Sequence, residues 1–115
     1  MATIEEALYK LKKSSFRSKF HLTVQDKAYI REKGIDTIRK HAKDFIQNRL
    51  APSYICNDGK QTPMSGHPVF KAMHATACCC RECFEKWYKI PQNIPLTYEQ
   101  EEWAVELIIE WVNRH

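Results

Sequence analysis

Apolar residues recur at helical intervals along most of this chain, and no segment alternates apolar and polar residues over the length of a strand. The clearest periodicity predicts a helix over residues 35–50, with apolar positions at Ile35, Ile38, Ala42, Phe45, Ile46 and Leu50. A second strong stripe predicts a last helix over residues 98–114, with apolar positions at Trp103, Leu107, Ile108 and Trp111. Both segments are long enough to bury one face against a neighbour.

Residues that cap or break helices divide the rest of the chain. An apolar stripe predicts a first helix over residues 3–13. Thr23 is a favourable N-cap and Gly34 a favourable C-terminal residue, so residues 24–33 are predicted to form a second helix. Pro52 then ends the helix over 35–50.

The second half begins with a loop, because residues 51–66 are rich in turn formers. Pro68 suits the first turn of a helix over 68–77 that Gly66 or His67 would cap. A short helix over 81–89 follows a cysteine-rich bend, and Thr97 with Gln100 forms a capping box for the last helix. We therefore predict a single all-α domain, residues 1–115, of about five to six helices with a long ordered loop.

Composition indicates an intracellular protein. The hydrophobic fraction of 43% and the charged fraction of 28% are typical of soluble globular proteins. No apolar run approaches the roughly 18 residues needed to cross a bilayer, and the N-terminus lacks the apolar block of a signal peptide. We expect a cytoplasmic setting, where thiols stay reduced. The five cysteines, three of them adjacent, then favour metal binding or reactive thiols over a disulfide framework.

Residues 67–83 concentrate side chains that bind metals. This stretch contains two of the five histidines and four of the five cysteines. We predict a site for zinc, the ion that mixed imidazole and thiolate ligands favour in a reduced compartment, with the ligands His67, His74, Cys80 and Cys83. Cys79 is a substitute ligand. If the helix continued without a break, His74 would pair with Cys78, or Cys79 with Cys83.

Two other interpretations of this stretch remain open. Free cysteines are often small buried hydrophobic residues at helix contacts, and His74 would then be a core histidine. Alternatively, Cys79 or Cys80 is a reactive thiol, because Arg81 and a helix N-terminus nearby would lower its pKa.

The charge distribution and the long loop indicate an anionic partner. Residues 1–50 carry a balance of +6 and residues 51–115 a balance of −2. A basic half suits nucleic acid, with Arg39, Lys40 and Lys43 on its surface, although a solvated face or a contact between the halves explains it equally well. Lys60 and Arg81 are candidate ligands for a nucleotide-like anion beside the loop. Neither a Walker motif nor a catalytic triad is present.

Several short motifs resemble those of a known family. They are F-R-S-K-F-H-L (16–22), R-L-A-P (49–52), G-K-Q-T-P (59–63), G-H-P-V-F (66–70), H-A-T-A (74–77), C-C-R-x-C (79–83) and K-W (86–87). The chain resembles small bacterial and phage proteins that are grouped only as a domain of unknown function. The resemblance implies a bacterial or phage cytoplasm and one shared pattern that includes His67, His74, Cys79, Cys80, Arg81 and Cys83. Cys78 lies outside that pattern.

The sequence therefore predicts a small zinc-binding module for nucleic acid or a nucleotide-like anion. One alternative is a metal- or thiol-dependent enzyme that uses His67 or Cys79/Cys80. A second alternative is a phage or bacterial accessory protein that modulates a protein partner.

Overall fold

The computed structural model describes residues 1–115, and its regular elements are all helical. Six α-helices comprise α1 (Ile4–Lys12), α2 (Val24–Lys33), α3 (Ile35–Arg49), α4 (Pro68–Ala75), α5 (Arg81–Tyr88) and α6 (Tyr98–Arg114), and a 3₁₀ helix spans Arg17–Lys19. The predicted all-α class is thus confirmed. No helix combines the length and apolar character that crossing a bilayer requires.

Helix α6 lies at the centre and packs against α1, α3 and α4. Its apolar stripe is buried, with Leu107 and Ile108 completely inaccessible to solvent. Ile38 and Ile46, on the periodic face of α3, are equally buried. The two segments with the strongest helical periodicity therefore form the main contact of the core, as amphipathic stripes of this kind require.

Two cations of α3 take part in its contact with α6. Arg39 forms an ion pair with Glu106, and Lys43 lies 3.5 Å from Glu102. Lys40 is exposed and forms no ion pair. Much of the basic character predicted for this face is therefore balanced by glutamates of the second half.

Helix α4 ends at Ala75, two residues before its predicted end, because the chain adopts a Schellman turn. Ala77 has a φ of 60°, and the Cys78 N–H donates to the carbonyl of Met73 at 2.8 Å. The Ala77 N–H approaches the carbonyl of His74 at 3.5 Å. The turn buries Cys78 and redirects the chain, so that Cys79 and Cys80 precede a new helix rather than continuing α4.

The two capping boxes allow a test of how stability is distributed. Thr23 caps α2 and Thr97 caps α6 with the same reciprocal hydrogen bonds. Helix α6 carries seven buried residues, whereas α2 carries none. We expect Thr97→Ala to lower the free energy of unfolding by about 1 kcal/mol. Thr23→Ala should lower it less, because α2 can fray without exposing the core. Urea titrations of both variants measure this, and equal losses would contradict it.

Candidate metal centre

The thiols of Cys79, Cys80 and Cys83 form one group. Their sulfur atoms all lie within 4.8 Å of one another. Three thiolates at Zn–S bonds of about 2.3 Å in a tetrahedral site lie roughly 3.8 Å apart. The sulfurs are thus close to the spacing that one zinc ion requires. Cys79 and Cys80 are buried, whereas Cys83 is half-buried.

The start of α5 brings two of these sulfurs together. Cys80 is the N-cap residue of α5 and Cys83 is the third residue of its first turn. The N–H of Cys83 donates to Cys80 Sγ at 3.4 Å, in the way that a serine or threonine oxygen accepts at this position. The C-x-x-C spacing therefore serves as a helix cap and holds both thiols on one side of the helix start.

Arg17 supplies the counter-charge to this thiol group. Its Nη2 donates to Cys83 Sγ at 3.1 Å, and its Nη1 approaches Cys79 Sγ at 3.5 Å. The same Nη1 donates to the carbonyl of His74 at 2.6 Å. The Arg17 residue is only 8% exposed. A buried guanidinium requires an anionic or strongly polar partner, and here thiol sulfurs and a helix carbonyl provide it.

Hydrogen bonds within the group shift the pKa values of Cys83 and Cys80 in opposite directions. The pKa of Cys83 lies far below its usual range, because the Cys79 and Cys80 thiols and the Arg17 guanidinium donate to its sulfur. The pKa of Cys80 is raised, because its thiol hydrogen-bonds to Cys79 and Cys83 and is partly buried. The lowered thiol pKa thus falls on Cys83, the sulfur that accepts from Arg17 Nη2 at 3.1 Å.

The remaining two cysteines lie outside this group. Cys78 is fully buried in the core, and burial raises the pKa of its thiol to about 12. Cys56 is exposed in the loop between α3 and α4. Cys78 thus packs as a small apolar residue, whereas Cys56 is exposed to solvent and takes no part in the group.

The structure brings neither predicted histidine into the group of three thiols. His74 Nε2 lies 3.0 Å from the carbonyl of Thr62, and its ring stacks on Phe20 with centroids 5.8 Å apart. His67 caps α4, because its Nδ1 accepts from the Val69 N–H at 3.0 Å. Coordination of a metal by these two imidazoles stays a prediction.

The anionic group at the N-terminus of α5 is a side chain of the protein itself, the Asp58 carboxylate. The Asp58 carboxylate accepts from the N–H of Arg81 at 3.1 Å and from that of Glu82 at 3.4 Å. A carboxylate at this position is favourable because helix N-termini carry partial positive charge. Lys60 is exposed in the same loop. The loop was predicted to bind an external anion beside Lys60 and Arg81, and that binding stays a prediction.

The Arg81 side chain is buried and bonded to backbone carbonyls. It is 3% exposed. It donates to the carbonyls of Leu50 and Pro52 at 3.2 and 3.0 Å, and to those of Pro91 and Ile94 at 2.6 and 2.8 Å. Its Nε has no acceptor. Arg81, the first residue of α5, therefore connects the start of this helix by hydrogen bonds to the end of α3 and to the loop before α6.

Arg17 and Thr62 are the residues of the centre that the sequence analysis did not identify. Thr62 Oγ1 donates to the carbonyl of Cys79 at 2.8 Å, and the Thr62 carbonyl oxygen lies 3.0 Å from His74 Nε2. The available signal was the family resemblance, since Arg17 lies in F-R-S-K-F-H-L and Thr62 in G-K-Q-T-P. Four of the quoted motifs thus meet at the thiol group, although up to 66 residues separate their bonded partners.

The chain belongs to a family described as a domain of unknown function, DUF4186, whose model matches residues 5–113. No solved structure matches the chain.

His67 lies in a second polar cluster, beside His41. Because its Nδ1 accepts from Val69, its proton is on Nε2, which lies 3.0 Å from His41 Nδ1. Burial and the neighbouring His41 lower the pKa of His67 to about 4. The imidazole is therefore neutral in the folded protein at pH values where the unfolded chain takes up a proton.

This difference predicts a pH dependence of stability. The folded pKa of His67 lies below its unfolded value of about 6.5, so its contribution is present above pH 6.5 and is lost as pH falls towards 4. His67→Asn keeps a good N-cap and removes the imidazole. Its free energy of unfolding should fall less steeply between pH 6.5 and 4 than that of the wild type. Urea titrations at several pH values measure this, with exposed His21→Asn as control, and parallel curves would contradict it.

Proposed function

We propose that this member of the family binds one zinc ion through the thiolates of Cys79, Cys80 and Cys83. The observation that carries the proposal is the convergence of three sulfurs beside a buried guanidinium. Thiolates favour zinc over harder ions such as magnesium or calcium. The hydrogen bonds from Arg17 are of the kind that orient metal ligands and stabilise their charge.

Charge balance supports this assignment. Three thiolates and one Zn²⁺ carry a net charge of −1, which the positive charge of Arg17 neutralises. Zinc binding also displaces the protons that the thiols still carry, so zinc affinity should rise with pH.

The ligand set favours binding over catalysis. Three protein ligands leave a fourth position for solvent, as in catalytic zinc sites. However, the group contains neither a histidine nor a carboxylate that would act as base towards a metal-bound water. An enzyme was expected to use His67 or Cys79/Cys80; of these, His67 is engaged by Val69 and His41, and the two cysteines are ligands in this proposal. We therefore assign the metal to stabilising the turn between α4 and α5.

Replacing one ligand tests this assignment. Cys83→Ser should lower bound zinc from about one ion per chain to a small fraction, because two thiolates hold zinc much more weakly than three. Cys56→Ser changes an exposed cysteine and should bind as the wild type does. His67→Asn should also keep its zinc. Elemental analysis of protein purified without added metal or chelator provides the measurement.

Thermal unfolding separates a stabilising metal from a peripheral one. In small zinc peptides, metal binding contributes on the order of 10 kcal/mol to folding. Here the helical core also stabilises the folded state, so we expect a smaller contribution from the metal. Chelator should lower the melting temperature of the wild type and leave that of Cys83→Ser unchanged. A metal-free wild type with an unchanged melting temperature would refute the zinc proposal. Cysteines oxidised in pairs would instead indicate thiol–disulfide chemistry.

We propose further that the protein binds nucleic acid. The support is the set of cations without carboxylate partners in the first half of the chain. Residues 10–19 contain five lysines or arginines and no aspartate or glutamate. The only ion pairs of the protein's cations involve Arg39, Lys43, Lys71 and Arg114. The cations without a carboxylate partner include Lys10, Lys12, Lys13 and Lys19, which lie at the end of α1 and in the 3₁₀ helix, where phosphates would be attracted.

A further inference from the structure

We infer that the cleft between the 3₁₀ helix and α5 binds single-stranded nucleic acid. This inference rests on the nucleic-acid-binding role proposed above and assigns it a surface and a substrate class. The cleft encloses about 440 Å³ and is lined by Ser14, Phe16, Arg17, Lys86 and Trp87. It is an open groove at the surface, and its lining combines two cations with two aromatic rings.

The lysines around the cleft are free to contact phosphates. Lys13, Lys19 and Lys86 are exposed, and none of them forms an ion pair. Arg17 differs, because its guanidinium is occupied by two thiols and a carbonyl. The lysines are therefore the residues that would contact phosphates, while Arg17 forms part of the cleft wall.

The aromatic side chains provide surfaces on which bases stack. Phe16 is 44% exposed, and two cations lie over its ring, Lys19 Nζ at 4.5 Å and the Arg17 guanidinium carbon at 4.9 Å from the ring centre. Trp87, on the α5 side of the cleft, is partly exposed. Tyr9 of α1, outside the lining of the cleft, is 60% exposed, and Lys13 Nζ lies 4.2 Å from its ring centre. A base that stacks on Phe16 would displace the flexible Lys19 ammonium from the ring face and place its phosphate beside that lysine.

This pairing of rings and lysines favours single strands over duplexes. Stacking on a side chain requires a base whose face is free, which a base inside a duplex does not offer. Proteins that bind single strands combine a positively charged groove with such aromatic platforms. On the face of α3 that was expected to bind nucleic acid, Arg39 and Lys43 are paired with glutamates, and only Lys40 is left without an ion pair.

Charge reversal at the cleft provides the first test. Lys19→Glu with Lys86→Glu changes the net charge from +4 to 0, and so does the control Lys27→Glu with Lys40→Glu at exposed positions of α2 and α3. Fluorescence anisotropy would use 12-nucleotide DNA and RNA strands and the matching duplexes at two salt concentrations. We expect the cleft variant to bind single strands at least tenfold more weakly and the control variant less than threefold. The wild-type log–log salt slope should be about −2, as three phosphate contacts require.

Removal of an aromatic ring provides the second test. Phe16→Ala should weaken binding of single strands about five- to a hundredfold, because each stacked base loses its platform. Tyr54→Ala removes a ring that is 79% exposed on the loop after α3, and it should leave binding unchanged. Circular dichroism of all variants verifies that they are folded.

The outcomes separate the two proposals. If the wild type binds no oligonucleotide at low salt, the nucleic-acid-binding role itself is wrong. If the wild type binds but both charge-reversal variants are weakened equally, the cleft is not the site and only this inference fails. Binding of duplexes as tight as that of single strands would likewise overturn the inference. Zinc content is measured on the same samples, so loss of the metal cannot be mistaken for loss of the cleft.

Discussion

The burial of two guanidinium groups determines how the elements of this small protein meet. A buried cation is costly unless acceptors surround it, so each arginine requires a particular arrangement of the backbone. Arg17 holds the 3₁₀ helix against the end of α4 and the start of α5 through His74 and the thiols. Arg81 holds the end of α3 and the loop before α6 against the same helix start. The N-terminus of α5 thus lies where two buried cations are compensated.

The metal centre and the cleft both depend on this arrangement. The thiols that accept from Arg17 are those that would bind zinc, and the Arg17 side chain also lines the cleft. Loss of the thiols would therefore leave the buried Arg17 guanidinium without its sulfur partners at the wall of the cleft. The two proposals concern different functions, but they share one structural element.

Local signals in the sequence predicted the helices well because helix ends are local features. Thr23 and Thr97 form capping boxes as their spacing indicated, and Gly34 ends α2 with a φ of 84°. The end of α4 was placed too late, because Ala77 in the left-handed region is a position where glycine is expected. An alanine in that turn carries no sequence signal of a helix end.

The candidate site was predictable only in its local part. The C-x-x-C pair is brought together by a helix cap, so the grouping of Cys80 with Cys83 depends on residues three apart. Arg17 joins through hydrogen bonds across 57 to 66 residues of chain, which no periodicity or spacing encodes. His67 caps α4 through Nδ1, as the proline that follows it indicated, and its coordination of a metal stays a prediction.

The basic half of the chain shows why charge counts alone do not locate a binding surface. Arg39 and Lys43 contribute to the same +6 balance as the lysines of residues 10–19, but glutamates of α6 compensate the first pair. Packing of the amphipathic faces of α3 and α6 brings these opposite charges together, since the apolar stripes determine which flanks become neighbours. The lysines near the 3₁₀ helix form no ion pair and lie beside aromatic rings instead, so their charge remains available. Which cations stay free of carboxylate partners therefore follows from the packing of the core.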